Sequence, residues 1–74
     1  MEIILKNNWD FVLYKENDYY ILKVVFTSSM MDYSRSFKFL KDELNIEIES
    51  LKKLSEQIRK DDTNFKDREI TPSI

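Results

Sequence analysis

Asp61-Asp62 sets two carboxylates side by side, and serines at positions 28, 29, 34, 36, 50, 55 and 73 supply hydroxyls. With the lysines, these are the groups left to do chemistry, because histidine, cysteine and glycine are all absent. Without His the chain lacks the usual general base near neutral pH and the commonest metal ligand. Without Cys there is no thiol nucleophile, no disulfide framework and no Cys/His zinc cluster. Without Gly there is no phosphate-cradling loop, dinucleotide fingerprint or G-x-S-x-G elbow. The serines have no evident base to activate them, and Asp61-Asp62 falls where a helix should end, as solvated breaker residues do. The expectation is no catalytic residue, no cofactor and no metal.

The elements that would position any site come from 74 residues, 42% hydrophobic and 14% aromatic, too apolar for a disordered chain. That length allows one domain, residues 1–74, whose core rarely supplies more than roughly 3–5 kcal/mol. Nine of the ten aromatics precede residue 40. A charge-balanced, aromatic-rich half therefore gives way to an acidic, aromatic-poor one, a change from strand to helix inside one domain. Residues 9–40 read as an antiparallel sheet. Residues 9–14 place Trp9, Phe11 and Leu13 on one face and Asp10, Val12 and Tyr14 on the other. Residues 19–27 place Tyr20, Leu22, Val24 and Phe26 opposite Tyr19, Ile21, Lys23 and Val25. Residues 33–40 place Tyr33, Arg35, Phe37 and Phe39 opposite Ser34, Ser36 and Lys38. The breaks at 15–18 and 28–32 are short, so the strands form a consecutive meander, and residues 2–5 can add a fourth, outer strand.

Residues 42–60 read as one helix, with Leu44, Ile48, Leu51, Leu54, Ser55 and Ile58 in a stripe at spacings of three and four. Ile46 lies off the stripe, and Asn45 offers an alternative, later cap. Residues 61–74 form a polar tail anchored by Phe65 and Ile70 and ended by Pro72. The fold class is α+β: a three-stranded, or with residues 2–5 four-stranded, antiparallel meander followed by a long helix on one sheet face. Phe26 and Phe37 belong to the core.

One helix covers one face. If that face holds Trp9, Phe11 and Leu13, the other carries Val12, Tyr14, Tyr19, Ile21 and Val25. This contiguous apolar set reads either as an interface for a partner or a second copy, or as ordinary exposed surface or surface covered by the termini. Asp10, Glu16 and Asp18, with Lys23, would give it a mostly acidic rim suited to a basic partner such as a toxin. Arg35, alone among aromatics, reads either as an edge residue with its stem packed on them and its head in water or paired to an acid, or as an anion-binding or partner-binding group. Met30-Met31 reads as an adaptable contact or as a connector tucked over the core. Aromatics on a sheet also suit stacked nucleic-acid bases, but phosphate binding needs a basic groove, and the net charge is −2. The partner expected is a protein or a second copy, not a nucleic acid or a membrane. No run reaches the ~18 apolar residues of a membrane span, and residues 1–5 are too short and acidic for a signal peptide, so a cytoplasmic protein is expected.

The order of elements resembles that of small bacterial immunity-type proteins, which neutralise a toxin. Trp9 lies in a first strand, residues 20–25 in a second, and Phe37-x-Phe39-Leu40 before a charged helix start. The helix ends in Leu54 to Arg59, and the tail runs from Phe65 through Arg68 to Ile70. Lys41 stands where such proteins carry a Ser or Thr cap. The resemblance implies a binder without catalytic residues that occludes its toxin. The other class open to this chain is a structural or assembly module, such as a small homodimer or an accessory subunit.

Overall fold

The computed structural model describes residues 2–27 and 31–71. It is an α+β fold built on one five-stranded, wholly antiparallel sheet. The strands are β1 (Glu2–Asn7), β2 (Phe11–Lys15), β3 (Tyr19–Thr27), β4 (Asp32–Leu40) and β5 (Glu69–Ile70), and their order across the sheet follows the chain. Between β4 and β5 run a 3-10 turn (Lys41–Glu43), helix α1 (Ile48–Lys60) and a 3-10 helix (Asp62–Arg68). The meander and the helix laid on one face agree with the pattern in the sequence; the sheet is wider and the helix shorter than expected.

Alternation decides which face meets α1. Phe11, Leu13, Leu22, Val24, Phe26, Phe37 and Phe39 are buried against Leu51 and Ile58, with Leu5, Tyr20, Leu44, Leu54 and Phe65 packed around them. Phe26 stacks on Tyr33 across β3 and β4, the ring centroids 5.4 Å apart. Ser55 lies fully buried on α1, and its hydroxyl has no hydrogen-bond partner. A buried hydroxyl left unpaired costs about 1–3 kcal/mol, and Ala favours helix more than Ser does. Ser55→Ala should therefore raise stability by about 1–2 kcal/mol, readable as a higher urea midpoint with an unchanged slope.

Four expectations are corrected. Trp9 is not on the core face, because β1 runs on to Asn7, which pairs with Phe11. That pairing leaves Trp9 in the connecting turn, closed by Asp10 N–H donating to the Asn7 carbonyl (3.0 Å). The outer strand is six residues long, with a bulge between Ile3 and Leu5. Instead of starting near residue 42, α1 starts at Ile48. Leu44, just past the 3-10 turn, is extended and reaches the core from there, and Ile48 is exposed. The tail is not merely anchored by Phe65: it forms the 3-10 helix and β5, which pairs Ile70 with Ser36 and Glu69 with Phe37. Met31 is exposed. Met30, with Ser28 and Ser29, lies outside the described residues, as do Pro72 and Ser73.

Candidate functional site

The sheet face turned away from α1 can be read row by row from the register. One row runs Lys6, Val12, Lys23, Ser36, Ile70; the next runs Ile3, Tyr14, Ile21, Lys38. Val25 lies opposite Ser34 at one end, and Tyr19 opposite Leu40 at the other. Val12, Tyr14, Tyr19, Ile21 and Val25 thus share this outer face. They are not equally open. Ile21 is 4% exposed, enclosed by Tyr14 and Lys38 across the strands and by Tyr19 and Lys23 along its own, whereas the other four are half-buried. The Lys38 ammonium sits 4.3 Å from the centre of the Tyr19 ring, a cation–π contact that closes this end over Ile21.

The rim departs from the expected one at Asp10. Asp10 points to the helix side, where Arg59 from the end of α1 bonds its carboxylate (2.6 Å), its carbonyl (2.8 Å) and the Val25 carbonyl (2.8 Å). Glu16 and Asp18 lie in the β2–β3 connection, at the Tyr14/Tyr19 end. Lys6, Lys23 and Lys38 occupy the face itself, and among the described residues none of the three is in an ion pair. The strands thus present three lysines on this face, with Asp32 at its Val12/Val25 end and Glu16 and Asp18 at the other.

All three arginines are engaged internally. Arg35 donates through Nε and Nη2 to both Glu69 oxygens (2.9 and 2.7 Å) and through Nη1 to Asp62 (2.7 Å). Its guanidinium lies 5.3 Å from the Phe26 ring centre and 5.5 Å from that of Phe37. It is the packed and paired edge residue, and it holds both carboxyls below their ordinary range through those hydrogen bonds. Arg68 donates to both Glu43 oxygens (2.8 and 2.5 Å). Those bonds, with the Leu40 N–H, hold Glu43 down at about 2. Asp62, half of the acid pair singled out in the sequence, is thus a partner of Arg35, whereas Asp61 accepts from Asn64. Among the described residues no group of three carboxylates converges as a metal would require. No helix of the described residues is long and apolar enough to cross a membrane.

At the Val12/Val25 end the face dips into a depression of about 310 Å³, lined by Val12, Val25 and Ser34, with Lys6, Lys23 and Asp32 around it and Trp9 from the turn beside it. Sequence reasoning missed Trp9 as a surface residue. The available signal was Asn7-Asn8, two turn formers directly before it. Comparison of the chain with known protein families, curated proteins and solved structures finds no match.

Proposed function

We propose that this chain is a non-enzymatic protein-binding module that works through the outer face of its sheet. The observation that carries the reading is the half-buried set of Val12, Tyr14, Tyr19 and Val25, gathered on the face that α1 leaves uncovered. Tyrosine suits such a surface, because it offers a large apolar ring and a polar tip at small entropic cost. In its most specific form the reading is an immunity-type inhibitor: a cytoplasmic protein that seats this face on a toxin and blocks the toxin's active site or substrate path. The order of elements along the chain supports that form.

Tyr14→Ala and Tyr19→Ala should each weaken partner association by more than about 1 kcal/mol without unfolding the domain. The test captures partners from the native cell on wild-type protein, on the double tyrosine variant and on Glu56→Lys, which alters the exposed side of α1. The partner should be retained by the wild type and by Glu56→Lys and lost from the tyrosine variant. Expressed alone, that partner should arrest growth, and co-expression of wild-type chain should restore it. Loss on Glu56→Lys with retention on the tyrosine variant would move the function to the helix side.

One observation favours the assembly reading. The outer edge of β1 has no neighbouring strand among the described residues, and Ile3 and Ile4 are exposed along it. An open edge can pair with a second copy. Concentration-dependent sedimentation of the purified chain separates this case, since an edge dimer forms without any other protein.

A further inference from the structure

We propose that the depression beside Trp9 seats an acidic segment of the partner protein, one of whose apolar side chains packs against Trp9, Val12 and Val25 while flanking carboxylates meet Lys6 and Lys23. The inference rests on the protein-binding reading of the outer face and specifies the partner's chemistry there.

Trp9 supplies the first argument. Its φ is 66°, and it is 85% exposed. Asn8 keeps an ordinary negative φ, so the Asn7–Asp10 turn has the sign pattern of type II, whose third position favours glycine or asparagine. A large aromatic there carries backbone strain, and an indole left in water returns no burial to the fold. The folded domain gains little burial from Trp at this place, and a docked partner would cover it.

Charge and shape supply the second. Lys6 and Lys23 flank Val12 directly on either side, so a cation stands at each edge of the apolar floor. Neither has a carboxylate partner within the described residues, which leaves both available to one from outside. The floor is aliphatic, matched to a side chain such as leucine rather than to a phosphate. The internal engagement of every arginine also argues against a nucleic-acid backbone.

Trp9 is the sole tryptophan, so its emission reports occupancy directly. The probes are a short peptide with leucine flanked by glutamates, the same peptide with lysine for glutamate, and an oligothymidylate. The acidic peptide should saturate a blue shift of the emission, with affinity falling as salt rises. The double variant Lys6→Glu/Lys23→Glu should weaken it at least tenfold and turn the preference to the lysine peptide. Trp9→Gly should melt at or a few degrees above the wild-type temperature, because glycine relieves the turn, and Trp9→Gly protein should fail to retain the cellular partner. Equal binding of the two peptides, binding of the oligonucleotide alone, or no shift with the acidic peptide up to about 1 mM would overturn the proposal. If Trp9→Gly retains the partner while the tyrosine variant loses it, this site is wrong and the binding face stands.

Discussion

Phe37→Ala should leave the chain largely unfolded at room temperature. The ring is fully buried, sits opposite Leu22 on β3 and Glu69 on β5, and meets the Phe65 ring edge-on at 6.5 Å. It is thus the side chain through which the meander, the helical tail and the last strand meet. Removing a buried phenylalanine costs about 3–5 kcal/mol, as much as the core of a domain this small supplies. Circular dichroism and proton chemical-shift dispersion would show the loss. Phe37→Leu, which keeps most of the volume, should lose about 1–1.5 kcal/mol and remain a cooperative folder. An alanine variant that melts at the wild-type temperature would mean that the sheet–helix packing described above is not what holds the domain together. The contrast with Trp9 sharpens the test. It is a larger aromatic, yet its removal should cost no stability, because it is not packed into the core.

Period-two alternation was the strongest signal in this sequence. It places Phe11 and Leu13, then Leu22, Val24 and Phe26, then Phe37 and Phe39 on the helix side, and it groups Val12, Tyr14, Tyr19, Ile21 and Val25 on the other. It failed where strands end, since side-chain parity has no meaning in a turn. Trp9 and Asp10 depart from their expected faces for that reason, whereas Asp18 sits in the expected break at the end of the outer face. The start of α1 is not legible because the chain first makes a separate 3-10 turn at Lys41–Glu43, where Glu43 accepts from the Leu40 N–H, and only then begins the helix at Ile48. β5 has two residues, too few to show a period, and its place depends on where Arg35 finds its carboxylates. Composition says that three arginines will meet acids. Which acids they meet is a property of the folded chain.

Arg35 controls the second large effect, which is a dependence of stability on pH. Its guanidinium joins β4 to Glu69 of β5 and to Asp62 at the start of the 3-10 helix, while its flanks rest on Phe26 and Phe37. Both carboxyls are held below their ordinary range, so in the folded chain they stay ionised at acidities where the unfolded chain binds protons. The sign follows: the stabilisation is complete above about pH 5 and is lost as pH falls through the ordinary carboxylate range toward the lowered folded values. Glu43, held at about 2 by Arg68, adds to the same acid limb. Arg35→Met keeps an apolar stem over the two rings and removes the charge. Its melting temperature at pH 7 should fall by roughly 5–10 °C, through loss of the bidentate pair and the cation–π contacts. Between pH 5 and pH 3 the variant should lose less than the wild type, so the two melting curves converge, with the residual slope belonging to Glu43. Arg35→Lys should fall between them, since an ammonium keeps the charge but cannot span both Glu69 oxygens. Parallel profiles for wild type and Arg35→Met would show that the tail is held to β4 by β5 pairing and Phe65 alone. Convergence would identify this half-exposed ion-pair cluster as the link between the acidity of the medium and the attachment of the last strand.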